Sequence, residues 1–314
     1  MAIPSVDLAD FTSGDPARKA QFVQQLGTAY ETIGFVAVKN HGLTDALTQS
    51  LYEQTEAFFR LSAEQKKQYE KPELAGQRGY TSFGTEHAKG SDAPDLKEFF
   101  QFGQRPQGAD VQANDYPENV AVAELPQFNQ TFEQAYRSFE QTGRLLLQAI
   151  ALYLGLDGQY FDSRIENGNS ILRAIHYPPI TQEPKSAIRA EQHEDINLIT
   201  LLIGASADGL QILTKQGDWV GVTSLPDQIV VNVGDMLQRL TNNRLKSTTH
   251  RVVNPPREKW GTSRYSIPFF LHPKSAVSLC CLDSCVDEAH PKAYEDATAG
   301  EYLDERLREI GLKK

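Results

Sequence analysis

The sequence predicts an α+β chain: a mainly helical first half and a second half built as a β-sandwich or barrel that carries a metal site. Three observations lead there. Apolar residues recur at helical spacing through the first half and are densest over residues 126–154. After Gly168 the texture changes to short apolar runs separated by turns. Inside those runs stands His193-Glu-Asp195, an imidazole and a carboxylate two residues apart, which on a strand would share one side.

Residues 3–8 form a short apolar segment that reads as an opening strand. Asp15-Pro16 starts a helix, with Asp as the cap and Pro in the first turn. Phe22, Leu26, Tyr30 and Ile33 follow at helical spacing, and Gly34 ends the run. Residues 35–39 read as a strand and Asn40-His41-Gly42 as a turn. A helix over 43–60 follows, then a short one over 62–69 opened by the capping box Ser62-Ala-Glu-Gln65. Residues 71–95 read as loop, 96–102 as an aromatic strand, and 104–124 as a second loop. The 126–154 helix has Pro126 at its start and Gly155 just past its end, and should pack along a sheet. Strands are expected at 171–177, 198–203, 210–214, 219–222, 228–233, 247–253, 265–271 and 276–279, with a closing helix over 301–310. The opening 193–202 is read as one strand, polar at its start and apolar after.

Four regions follow: 1–120 mixed, 121–167 the support helix, 168–280 the β core and 281–314 a helical tail. The chain of 314 residues is long enough for a large core. Its net charge of −10 disfavours nucleic acid and anionic membrane as partners. Three cysteines, Cys280, Cys281 and Cys285, suit reduced thiols in a cytoplasm and not a disulfide framework. No signal peptide or membrane span is apparent, so a cytoplasmic protein acting on a small molecule is expected. Oligomeric state is open.

An imidazole and a carboxylate need one more ligand to hold a divalent ion on one face. Two His and one carboxylate, with positions left open, is the non-haem iron(II) arrangement. The third ligand should come from a later strand. His41, His87, His272 and His290 sit beside Gly, Lys or Pro in turn contexts, and His176 precedes the pair. His250, in the β-rich run Ser247-Thr-Thr-His-Arg-Val-Val253, is the choice. Farther on, Arg264 and Ser266 share a strand face, and a guanidinium with a hydroxyl beside it can grip a carboxylate.

In this order the chain resembles the iron(II)/2-oxoglutarate-dependent oxygenases, in the branch of isopenicillin N synthase and the plant-type dioxygenases. Ile33-Gly-Phe-Val-Ala-Val-Lys-Asn-His-Gly-Leu43 and Asp95-Leu-Lys-Glu-Phe-Phe-Gln-Phe-Gly103 resemble its two N-terminal signatures. His176-Tyr-Pro-Pro179, the run from His193 to Leu202, Gly209-Leu-Gln-Ile-Leu213, Thr249-His-Arg-Val252 and Arg264-Tyr-Ser-Ile-Pro-Phe-Phe270 complete the set. The resemblance implies a double-stranded β-helix (jelly roll, cupin-like) flanked by helices. It implies His193, Asp195 and His250 as ligands of Fe(II), and Arg264, Ser266 and Tyr177 as the grip on the far carboxylate of 2-oxoglutarate. The implied reaction consumes O2, releases succinate and CO2, and hydroxylates, desaturates or cyclises a small organic molecule. Related halogenases lack the carboxylate, so Asp195 points away from halogenation. Where plant enzymes often carry Asn two residues before the tyrosine, this chain has Ile175.

Strand parity puts Arg173 on the face of Tyr177, where it would pair with an acid on substrate or co-substrate. The substrate should meet loop 78–87 and strand 98–102, with Tyr80, Phe83, Phe100 and Phe102 forming an apolar pocket and Phe270 its floor. Three alternatives stay open: an oxidase of the isopenicillin N synthase type that uses no 2-oxoglutarate, a zinc hydrolase on the same triad, and a β-barrel binding protein without activity.

Overall fold

The computed structural model describes residues 3–86, 94–105, 116–184, 186–222, 225, 227–310 and 312–313. The N-terminal part runs β1 (Ser5–Asp7), α1 (Leu8–Thr12), α2 (Pro16–Thr32), β2 (Phe35–Lys39), α3 (Asp45–Phe59), α4 (Ala63–Lys67), β3 (Gly79–Thr81) and β4 (Glu98–Gly103). Then come α5 (Phe128–Tyr153), α6 (Asp162–Ile165), β5 (Ile171–Tyr177), β6 (Ala190–His193), β7 (Ile199–Ile203), β8 (Leu210–Leu213), β9 (Trp219–Gly221) and β10 (Gln228–Val233). The chain closes with α7 (Asp235–Leu240), β11 (His250–Val252), β12 (Arg264–Ser266), β13 (Pro268–Leu271) and α8 (Ala299–Glu309).

Two sheets face each other across the site. The larger has nine strands in the order β1-β2-β10-β7-β13-β5-β4-β3, with β12 also on β5; the smaller is β6-β11-β8-β9. The N-terminal strands belong to the large sheet: β2 pairs antiparallel with β10 and β4 with β5. Helix α5 buries its apolar stripe on the outer face of that sheet. Phe139 stacks on Phe269 at 5.4 Å and Tyr136 meets the same ring edge-on at 5.0 Å. Leu154 ends the helix and Gly155 leaves it at φ +74, where a side chain is disfavoured. Among the described residues no helix is long and apolar enough to cross a membrane.

Several elements depart from the expectations, among them strand β3 inside the expected loop 71–95. The single strand expected over 193–202 is two: β6 ends at His193, β7 begins at Ile199, and the chain between them crosses from one sheet to the other. Backbone groups of the crossing find partners outside any ladder, as where the Asp235 N–H donates to the Asp195 carbonyl at 2.7 Å. Residues 276–279 contribute one isolated bridge, Ser278 to Thr298, and not a strand. Helix α7, with Met236, Leu237 and Leu240 buried, has no counterpart in the sequence reading; at six residues it is too short to show a helical period.

Gly34 links α2 to β2 at φ +75, and a Cβ there would lie 2.2 Å from the Lys246 carbonyl oxygen and 2.4 Å from Thr248 Oγ1. Gly34→Ala should cost about 1–3 kcal/mol from the dihedral alone, before that overlap is counted. Chemical denaturation should show a lower midpoint, and an unchanged midpoint would refute the assignment.

Candidate metal and co-substrate centre

His193, the last residue of β6, and His250, the first of β11, are directly opposed in the ladder of the small sheet. Their ring centroids are 4.4 Å apart. Asp195 comes from the crossing segment, and one ligand atom from each of the three lies within 4.8 Å of the others. Strand parity therefore does not bring His193 and Asp195 together. The bend between the sheets does, turning the carboxylate back toward the imidazoles.

Each donor is oriented by a second group. His193 Nδ1 lies 2.7 Å from the Glu191 carbonyl and His250 Nδ1 lies 3.1 Å from the Thr248 carbonyl. A carbonyl only accepts, so each Nδ1 carries the proton and each Nε2 presents its lone pair to the centre. Asp195 Oδ2 accepts from Thr200 Oγ1 at 2.6 Å and Asn232 Nδ2 at 2.8 Å. Oδ1 faces His193 Nε2 and His250 Nε2, at 4.0 and 3.8 Å. Burial, with His250 alongside, pushes His193 down to about 4. For Asp195, burial alone would raise the pKa; His250, His193 and the two hydrogen bonds outweigh it and hold the group below its ordinary value. Two neutral imidazoles and one ionised carboxylate are the protonation states in which these groups ligate a metal.

Across the same cavity, of about 510 Å³, lie Arg264, Ser266 and Tyr177. Arg264 opposes Tyr177 in the β12–β5 ladder, and Ser266 opposes Ile175. The Arg264 guanidinium is 1% exposed and sits 5.0 Å from the Tyr177 ring centre. Its Nε donates to the Ala207 carbonyl at 3.0 Å, while Nη1 is buried with no partner. No carboxylate of the described residues reaches it within 4 Å. A buried guanidinium without a counter-ion is costly. The cost is relieved by an anion entering the cavity beside the triad, so the residues present fit both an iron(II) ion and a keto acid.

The chain matches two family models: residues 168–273 match that of the 2OG-Fe(II) oxygenase superfamily, and 3–124 that described as non-haem dioxygenase in morphine synthesis N-terminal. The proline hydroxylase buaE of Petromyces alliaceus is 33% identical over 320 residues, 98% of this chain and 99% of that protein. The 2-oxoglutarate-Fe(II) type oxidoreductase hxnY of Emericella nidulans is 30% identical, covering 100% of this chain and 93% of the relative. The chain belongs to the 2OG-Fe(II) oxygenase superfamily. Among solved structures, a 2OG-Fe(II) oxygenase family protein of Caulobacter crescentus superposes with a TM-score of 0.87 at 43% identity, over 98% of this chain and 99% of that one. A full-length Neurospora crassa protein, solved in complex with alpha-KG and thymine, gives 0.85 at 30% identity, over 98% and 96%.

The cavity wall of this oxygenase differs from the substrate pocket the sequence suggests. Arg173 and Phe270 line the cavity. Phe100, Phe102 and Tyr80 do not. On β4 the cavity face carries Gln101, preceded by Lys97, while Phe100 and Phe102 point to the helices. Phe100 meets Phe58 at 4.9 Å and Phe128 at 5.0 Å; Phe102 meets Phe132 and Tyr136. Tyr80 packs on Phe58, and its hydroxyl donates to Glu98. Phe83 is 49% exposed and away from the cavity. The physical reason is that β4 has apolar neighbours on both faces, so aromatic content could not tell core from cavity. His87, the far end of the 78–87 loop, lies outside the described residues, while Glu86 of that loop lines the site. Arg173 does pair with an acid, but that acid is Glu86 of its own chain, 3.3 Å away.

Sequence reading misses Thr200, Asn232, His272 and Lys97, and it singles out neither Glu86 nor Gln101 within the loop and strand it assigns to the substrate. Thr200 and Asn232 carry a signal: Thr200 is the lone polar residue of β7, Asn232 interrupts the apolar run that follows Gln228 in β10, and the two are directly paired across the strands. His272 has a turn context in the sequence, yet it lines the cavity, and burial pushes it down to about 4, so it is neutral. Helix α8, capped by Thr298 and Glu301, lends Leu303, Arg306 and Leu307 to the cavity wall. Asn232→Ala removes a hydrogen bond that holds Asp195 and should weaken metal affinity about 10–100-fold; iron titration of metal-free protein measures it.

Proposed function

We propose that His193, Asp195 and His250 hold the iron, that Arg264, Ser266 and Tyr177 bind the far carboxylate of 2-oxoglutarate, and that a small organic molecule is oxidised between them and α8. One observation carries the assignment: the buried, unpaired Arg264 Nη1 shares a single cavity with the triad. When bound, iron(II) and 2-oxoglutarate supply the oxidising chemistry, O2 and the keto acid being converted to CO2 and succinate as the substrate is hydroxylated, desaturated or cyclised.

The chain's own residues do the rest. The Glu191 and Thr248 carbonyls fix the imidazole tautomers, and Thr200 and Asn232 aim the carboxylate. Arg264 orients the co-substrate by charge-assisted hydrogen bonds. Leu303 and Leu307 on α8 keep water from the substrate side. The ordered motifs described above support placement in the isopenicillin N synthase-like branch, and three free cysteines, one of them exposed, support a cytoplasmic setting. The proline in one relative's name and the thymine bound in another's structure support a compact polar substrate.

Anaerobic reconstitution with Fe(II) and 2-oxoglutarate should produce a metal-to-keto charge-transfer band, and oxygen uptake should match succinate formed. Oxygen uptake without succinate would favour the oxidase alternative, and turnover without oxygen the hydrolase.

A further inference from the structure

Four cationic side chains line the cavity: Lys97, Arg173, Arg264 and Arg306. Three already have carboxylates. Lys97 Nζ sits 2.6 Å from Glu86 and 2.7 Å from Asp95; Arg173 Nη1 is 3.3 Å from Glu86; Arg306 pairs with Glu305 and Glu309. Arg264 alone has none among the described residues. The cavity thus has two electrostatic halves. The Arg264 half lacks one negative charge, whereas in the half walled by β4, β5 and α8 every cation is paired, three of them against four carboxylates.

We infer that Glu86 acts as a charge filter, neutralising Arg173 and, together with Asp95, Lys97, so that the substrate half refuses anions and accepts a small uncharged molecule rich in hydrogen-bonding groups. This deepens the functional reading above and rests on it. Glu86 is 8% exposed and bridges the two cations. Burial alone would raise its pKa; Arg173 and Lys97 outweigh that and bring it down to about 2, so the counter-charge persists at any working pH. Arg173 is held flat: Nε donates to Gln101 Oε1 at 2.9 Å, and the guanidinium lies 4.2 Å from the Phe99 ring and 5.2 Å from Phe270. An incoming carboxylate would have to displace Glu86 or sit beside it unpaired, and like charges brought together in a desolvated site are strongly unfavourable. A neutral amide or ring nitrogen meets no such opposition. His272, held neutral, adds polarity without charge.

The test uses protein holding zinc in the iron's place, saturated with 2-oxoglutarate. It is titrated calorimetrically with two matched pairs, benzamide against benzoate and nicotinamide against nicotinate. Wild-type protein should prefer the amide of each pair. Glu86→Gln should shift the preference toward the carboxylate by at least about tenfold, and Glu86→Asp should return it toward wild type. The Gln variant keeps Lys97 on Asp95 and Arg173 on Gln101, and its thermal unfolding checks that it folds. An unchanged preference in Glu86→Gln, a wild-type preference for carboxylates, or no binding of any probe to Glu86→Gln overturns the inference. Titration of 2-oxoglutarate itself separates the two claims: its failure to bind wild type would sink the co-substrate assignment whatever the Glu86 result.

Discussion

Replacing His250 with alanine is expected to abolish the iron–keto acid charge-transfer band and all substrate-coupled succinate formation. His250 is one of three donors, its Nε2 aimed at the centre by the Thr248 carbonyl, and the shared cavity offers no fourth His, Asp or Glu in that cluster among the described residues. Loss of an outer partner typically costs about 10–100-fold in metal affinity, and loss of a ligand should exceed that. The fold should survive. The backbone pairs of His250 with His193 and Ile212 do not need its ring, and the main packing loss is one edge contact with Phe35 at 5.7 Å. Circular dichroism unchanged with metal binding lost is the expected pair of results. Full iron affinity in the folded variant would refute the triad.

Arg264→Met should leave the iron in place and raise the KM for 2-oxoglutarate. Truncating one partner of a buried, hydrogen-bonded charge pair costs about 2–5 kcal/mol, or roughly 30-fold to several thousand-fold in KM. Met keeps the aliphatic packing against Tyr177, so stability should not fall. It should rise slightly, because an uncompensated buried guanidinium is removed from the free protein. Arg264→Lys should recover only part of the affinity, since an ammonium lacks the planar fork. A KM within about threefold of wild type in the Met variant would place the co-substrate elsewhere.

The metal triad and the Arg264–Ser266 pair are legible because each involves a residue type with few other uses inside a β domain. An imidazole and a carboxylate placed two residues apart, or an arginine placed in a strand, must be explained by something other than packing. Strand parity is still an incomplete reason for the first pair, since it assumes one continuous strand where the chain in fact changes sheets. The aromatic residues are illegible for the opposite reason. Phe100, Phe102 and Tyr80 serve a helix-facing core as readily as a cavity, and period-two alternation disappears when both faces of a strand are buried. Glu86 and Lys97 themselves lie outside the strands, so no periodicity could assign them a direction.

The sequence alone determined the α+β character, a long helix expected over 126–154 and found at 128–153, the run of short strands after Gly168, and the three groups able to hold iron. These depend on local spacing and on side-chain chemistry, both of which are written along the chain. The tertiary structure alone decided that Asp195 reaches the imidazoles by a crossing between sheets, that α8 lines the cavity, and that Arg173 is already answered by Glu86. Contacts between residues 87 apart in sequence, such as that ion pair, depend on how sheets and loops are stacked. No local pattern records that stacking.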